Sequence, residues 1–292
     1  MSTRPTPANA NTNTNANANT SGSAHRPQRP TVPALQEWKH QGRRFSMLTA
    51  YDSCFARIFD EVGVDLLLVG DSLANVIQGE ETTLPVTVDE MIYHTRAVAR
   101  TAKRAMVIAD MPFGSYQISA EDAVRNAVRM VKEGGAQAVK LEGGSAVKEA
   151  ITRISSAEIP VMGHIGLTPQ SVNRMGGFRV QGRTVESQKR VLEDAHAVED
   201  AGAFAVVLEG MPAELAHEIS CSLHIPTIGI GAGSECDGQV LVMHDMLGLS
   251  GDWVPQFVKK FADLGPQVAD AAQAFIDEVQ QGTFPGEEHS YR

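Results

Sequence analysis

A short unit recurs along this chain: a glycine closing a helical stretch, then an apolar run, then a carboxylate at its end. It reads GVDLLLVGD at 63–71, GAQAVKLE at 135–142 and GAFAVVLE at 202–209. Gly63 precedes Asp71 by eight residues, while Gly135 precedes Glu142, and Gly202 precedes Glu209, by seven. Glycine fits the left-handed residue that ends a helix. Near-continuous apolar runs read as strands buried on both faces, the mark of a parallel sheet. Runs of the same kind lie at 45–50 (FSMLTA), 105–110 (AMVIAD), 160–166 (PVMGHIG) and 226–233 (PTIGIGAG), with a weaker one at 239–245 (QVLVMHD).

Helical patterns fill the gaps. Thr87 and Glu90 make a capping box, Ser119 can cap a second helix, and Pro212 suits the first turn of a third. Strand and helix in alternation imply right-handed parallel crossovers. About eight strands in roughly 250 residues match an α/β fold of the (β/α)8 TIM-barrel kind better than an open doubly wound sheet, which the weak eighth strand keeps in view. The glycines of GIGAG at 229–233 lack the spacing of a dinucleotide fingerprint.

Composition narrows the function classes. Of 292 residues, 42% are hydrophobic and 21% charged, enough to bury a large core. The net charge of -10 argues against general nucleic-acid binding, and no apolar run approaches the roughly 18 residues of a membrane span. Cys54, Cys221 and Cys236 show no paired zinc or redox spacing; buried apolar roles in a reducing compartment are expected. Residues 1–33 are Asn-, Ala- and Thr-rich and have little to bury, so a disordered tail is expected, followed by one catalytic domain over 34–292. The tail's Arg4, Arg26 and Arg29, without any acid, share the composition of organelle transit peptides, but no amphipathic pattern accompanies them. A cytoplasmic protein with a dispensable extension is the expectation.

In a barrel of this kind active sites form at the carboxyl ends of the strands. Asp71, Asp110, Glu142 and Glu209 each end a different predicted strand. Four acids on one rim repel one another unless positive charge sits among them. Lys140 supplies one charge, because it shares a strand face with Glu142, and a divalent cation such as Mg²⁺ would supply more, with Asp71, Asp110 and Glu142 as oxygen ligands. A simple buried ion pair between Lys140 and Glu142 is the plainer alternative. His164 and His244 fall near predicted strand ends without zinc spacing; His164 is a candidate substrate contact, and His244 reads as structural.

Several motifs in order then carry a specific resemblance: LTAYD, VGDSLANVIQG, TTLPVT, ADMPFGSY, KLEGG, GHIGLTPQSV, VLEGMP, IGIGAG and PGEEHS. Over residues 34–292 the chain resembles the ketopantoate hydroxymethyltransferase family. The resemblance implies a barrel of the phosphoenolpyruvate/pyruvate type and transfer of a hydroxymethyl group from 5,10-methylenetetrahydrofolate to 3-methyl-2-oxobutanoate, giving 2-dehydropantoate for pantothenate synthesis. It also implies metal ligation by Asp71, Asp110 and Glu142, and contacts to the keto acid by Ser72 and Lys140 beside those acids. Glu209 would be the base that removes the proton next to the carbonyl, with Mg²⁺ polarising that carbonyl and holding the enolate charge. Self-association, commonly as a homodecamer, comes with the resemblance alone.

Weaker readings attach to two loops. Residues 72–86 are long enough to form a lid over the metal, or a packed loop. Residues 159–185 carry Arg174, Arg179 and Arg183 but no acid, which suits a folate glutamyl tail or a subunit contact. Three rivals stay open: a Schiff base on Lys140, a metal-dependent oxo-acid carbon–carbon lyase or mutase on the same barrel, and a catalytically dead barrel serving as a scaffold.

Overall fold

Eight parallel strands close on themselves in chain order in the computed structural model, which describes residues 29–251 and 254–292. They are β1 (Phe45–Thr49), β2 (Leu66–Val69), β3 (Met106–Asp110), β4 (Ala138–Glu142), β5 (Val161–Gly166), β6 (Ala205–Glu209), β7 (Thr227–Ile230) and β8 (Gly238–Leu241). Closure decides against the open sheet: β1 pairs with β8 from Phe45 opposite Gly238 to Leu48 opposite Leu241. The eighth strand is weak because it is short, presents Gln239 to solvent and meets β7 at only two positions. It also ends at Leu241, so His244 stands in a following helix rather than on the strand.

Among the described residues there are ten α-helices: α1 (Val32–His40), α2 (Ser53–Val62), α3 (Val88–Thr101), α4 (Ala120–Arg129), α5 (Lys148–Ser156), α6 (Val172–Met175), α7 (Val185–Asp200), α8 (Ala213–Ser222), α9 (Met243–Leu247) and α10 (Leu264–Gln281). The capping box of Thr87 and Glu90 is formed at α3, and Ser119 caps α4. Gly63 (φ 93°) and Gly135 (φ 82°) end their helical segments in the left-handed region, as the repeat requires. Among the described residues no helix is long and apolar enough to cross a membrane.

Period-two alternation sorts the strand residues into two cores. Val107, Val139, Leu141, Val161 and Val206 face the helices. Met47, Leu66, Leu68, Ile108, Ala138, Met162 and Val207 fill the barrel interior. Leu35 and Trp38 of α1 join that inner cluster and plug the amino-terminal end, leaving the carboxyl ends of the strands as the open mouth. On β4 the same alternation puts Lys140 and Glu142 on the inner face, between the outward Val139 and Leu141.

Two expectations need correction. A tail reaching residue 33 is too long: α1 begins at Val32, because the Thr31 hydroxyl accepts from the Ala34 N–H and a proline occupies the first turn. Residues 1–28 lie outside the described residues. The three cysteines are free thiols, yet only Cys236 is buried. Cys54 and Cys221 lie on exposed positions of α2 and α8, where spacing gave no means of telling the outer helix face from the inner one.

Candidate active site

The acids, the lysine, the serine and the two histidines singled out in the sequence line one cavity of about 1020 Å³ at the open mouth: Asp71, Ser72, Asp110, Lys140, Glu142, His164, Glu209 and His244. Strand ends place them. Asp110, Glu142 and Glu209 are the last residues of β3, β4 and β6, and Asp71 follows β2 by two residues. Asp71, Asp110, Lys140, Glu142 and His164 are all buried, so each must find a partner.

The partners differ from the simplest sequence expectation. Lys140 pairs with Asp110, Nζ to Oδ1 at 2.7 Å, rather than with Glu142. Glu142 instead faces His164, Oε1 to Nδ1 at 3.3 Å, and its Oε2 accepts the Gln170 backbone N–H at 2.9 Å. The other ring nitrogen of His164 lies 3.0 Å from Glu209 Oε2. Both ring nitrogens thus face carboxylates, and Nδ1 also lies 3.2 Å from Lys140 Nζ. Two buried residues not singled out from sequence complete the network: Gln170 Nε2 donates to Asp71 Oδ2 at 2.8 Å, and the Tyr116 hydroxyl donates to Gln170 Oε1 at 2.6 Å. Gln170 stood inside the motif GHIGLTPQSV and Tyr116 inside ADMPFGSY, but neither shows a pattern that distinguishes it from a loop residue.

Electrostatics follow from that arrangement. Burial, then repulsion from Asp110 and Glu142, pushes the Asp71 carboxyl well above the usual carboxylate range. Burial likewise raises Asp110, against the pull of Lys140. For Glu142 burial acts upward but is outweighed by His164, Lys140 and the Gln170 N–H, leaving it lowered. Burial would lower Lys140, yet Asp110, Glu142 and Asp71 outweigh it and hold the ammonium charged. Burial and Lys140 push His164 down, and the carboxylates beside it carry it up to about 9. Asp71, Asp110, Glu142 and Glu209 outnumber the basic side chains set among them, Lys140 and His164, by four to two.

That excess, on hard oxygen donors, suits a divalent cation. Asp110 Oδ1 adds to the fit: it is buried and lacks a hydrogen bond of acceptable angle, with the Lys140 contact alone beside it. Among the described residues no three acid, histidine or cysteine side chains converge at ligating distance.

Leu167, Phe178, Val180, Ile230 and Phe257 give the same cavity an apolar part. Phe178 and Val180 belong to the arginine-bearing loop, whose Arg174, Arg179 and Arg183 are exposed outside the cavity. The His244 ring packs at a tilt against Tyr51, centroids 5.6 Å apart, and the Tyr51 hydroxyl lies 2.8 Å from Ser72 Oγ. Gly166 shapes the rim: its φ is 91°, and a Cβ there would stand 2.3 Å from the Glu209 carbonyl oxygen.

Comparison with known proteins agrees with this picture. The sequence profile of the family Ketopantoate hydroxymethyltransferase matches residues 29–287. The chain is 56% identical over 262 residues to the 3-methyl-2-oxobutanoate hydroxymethyltransferase of Clostridium botulinum, covering 90% of this chain and 95% of that one. It is 58% identical over 261 residues to the enzyme of the same name from Pelobacter propionicus, covering 89% and 97%. Among solved structures, phosphonopyruvate hydrolase in complex with oxalate and Mg²⁺ superposes with a TM-score of 0.58 at 13% identity, over 88% of this chain and 92% of that one. A 2,3-dimethylmalate lyase of the PEP mutase/isocitrate lyase superfamily gives 0.56 at 17%, over 89% and 91%. At those identities the likeness is one of fold.

Proposed function

The chain belongs to the ketopantoate hydroxymethyltransferase family, whose reaction is hydroxymethyl transfer to 3-methyl-2-oxobutanoate in pantothenate biosynthesis, and we propose that Glu209 is the base of that reaction and the Asp71, Asp110 and Glu142 group its metal site. The observation that carries the division is exposure: Glu209 keeps 14% of its side-chain surface open to the cavity, while Glu142 and Asp110 keep 3% each. A group that must reach a substrate proton needs that access; a ligand held in place does not.

Asp71, Asp110 and Glu142 would hold Mg²⁺ or another divalent cation, which when bound supplies Lewis-acid polarisation of the keto acid. A related fold holding oxalate, a small dicarboxylate, together with Mg²⁺ supports the pairing. Lys140 and Ser72 line the same cavity as these acids and would bind the keto acid's oxygens. Glu209 takes the proton from C3, the carbon beside the carbonyl. His164, 3.0 Å from Glu209 Oε2, fixes the carboxylate and keeps a positive charge beside it until the proton arrives. C3 then attacks the methylene carbon of 5,10-methylenetetrahydrofolate as its bond to one nitrogen breaks, water displaces the other nitrogen and supplies the hydroxyl oxygen, and the two nitrogens of the departing tetrahydrofolate take the proton held by Glu209 and the one released by water. Proximity is the chief requirement for that step. The apolar side of the mouth offers room for the folate ring, and the exposed arginines of the 159–185 loop suit its glutamyl tail.

Proton removal can be followed without the folate. In D2O with Mg²⁺, wild type should exchange the C3 hydrogen of 3-methyl-2-oxobutanoate, read by proton NMR, and Glu209→Gln should not. Exchange at the wild-type rate in that variant would remove Glu209 from the role.

A further inference from the structure

Gln170 touches two of the three acids at once, and nothing in its residue type announces that. Its side-chain amide donates to Asp71 Oδ2 at 2.8 Å, and its backbone N–H donates to Glu142 Oε2 at 2.9 Å. The remaining valences of the amide are also used. Nε2 gives its second hydrogen to the Met111 carbonyl at 3.0 Å. Oε1 accepts from the Tyr116 hydroxyl at 2.6 Å and from Gln117 Nε2 at 3.2 Å. Two donors and two lone pairs are the whole capacity of a glutamine amide. Its orientation is settled as well, because the Met111 carbonyl can only accept and the Gln117 amide nitrogen can only donate. The Tyr116 hydroxyl in turn accepts the Glu142 N–H at 3.1 Å, so the chain of bonds returns to the strand that carries the second acid.

The backbone is equally constrained. Gln170 sits in a single 3-10 turn, Pro169–Ser171, directly after β5, with its own side chain buried. No hydrogen bond reaches Asp71 Oδ1 among the described residues, so the Gln170 contact to Oδ2 turns one oxygen into the protein and leaves the other to the cavity.

We propose that Gln170 is a positioning residue that sets Asp71 and Glu142 at a fixed separation for a divalent cation, with Tyr116 fixing the amide. This rests on the assignment of those acids as the metal site. Glutamate in its place would lose both N–H donors and set a third carboxyl against Asp71. Methionine, of similar length, would leave Asp71 Oδ2 without its donor. Loss of a partner that orients a metal ligand typically weakens metal binding about 10- to 100-fold.

The test uses Mn²⁺ as the probe and full-length protein without substrate, with free Mn²⁺ followed by electron paramagnetic resonance. Gln170→Met is expected to raise the Mn²⁺ Kd by about 10- to 100-fold while circular dichroism stays that of wild type. Turnover should fall at limiting metal and recover at high metal, a rescue that a general loss of structure would not give. Tyr116→Phe, which keeps the glutamine but removes its fixing donor, should weaken Mn²⁺ in the same direction by a smaller factor, and it decides the matter should Gln170→Met fail to fold. Tight Mn²⁺ binding by wild type with an unchanged Kd in the variants overturns the role of Gln170 alone. Wild type that binds no Mn²⁺ overturns the metal site and this inference together.

Discussion

His164 Nε2 lies 3.0 Å from Glu209 Oε2, and the opposite ring nitrogen lies 3.3 Å from Glu142 Oε1, so one imidazole spans the candidate base and a candidate ligand. If it orients Glu209, His164→Gln should slow the C3 exchange and kcat together by roughly 10- to 100-fold, the size of one close contact between opposite charges at a buried site. An effect on KM alone would instead make His164 a substrate contact.

Lys140 is the ammonium paired with Asp110 among the buried acids. Breaking a buried ion pair from one side costs roughly 3–5 kcal/mol. For a chain of this size Lys140→Met should therefore lower Tm by on the order of 10 °C, measured by calorimetry without added metal. An unchanged Tm would mean that the acids are neutral in the folded protein.

The mouth allows no side chain at Gly166. A Cβ would meet the Glu209 carbonyl oxygen at 2.3 Å, and the left-handed backbone adds strain. Gly166→Ala should displace Glu209, and a shift near 1 Å costs about 100-fold in rate. A variant with wild-type kcat would show that the base tolerates movement.

Glu90 ties the loop of residues 72–86 to α3: its carboxylate accepts from the Thr87 N–H and hydroxyl and from Gln78 Nε2 at 2.9 Å. Those bonds, led by the Thr87 backbone N–H, hold its pKa below the usual glutamate value. A lowered folded pKa contributes stability above the ordinary value of about 4.3, lost as pH falls through the folded value. The Tm difference between wild type and Glu90→Gln should thus be full near pH 7 and shrink below about pH 4. A difference that grows toward acid would reverse the assignment.

Thiol chemistry should separate the cysteines. Cys54 and Cys221 are exposed, while Cys236 is buried and burial raises its pKa. An aromatic disulfide reagent should label two thiols quickly and the third only on denaturation.

The barrel was legible because glycine, apolar run and acid repeat with the chain's own strand period, and because the last residue of a parallel strand has one place to go. That logic put Asp110, Glu142 and Glu209 on the rim. It could not pair them: period two sets Lys140 and Glu142 on one face, but the neighbouring strand, with Asp110 opposite Lys140, decides which acid the ammonium meets. Gln170 and Tyr116 were invisible for a related reason. Their role comes from loops folded back over the rim, where no periodicity constrains them. The cysteines on α2 and α8 were placed inside by residue type alone, and the helix face overrode it.

The central claim is tested most directly by turnover of 3-methyl-2-oxobutanoate with 5,10-methylenetetrahydrofolate, with and without Mg²⁺, for wild type and Glu209→Gln. The expected result is metal-dependent product formation by wild type and a fall of about 10²- to 10⁴-fold in kcat for the variant, with substrate binding retained. Full turnover by Glu209→Gln, or wild-type turnover indifferent to every divalent metal and to chelator, would contradict the division of the four acids into one base and three ligands.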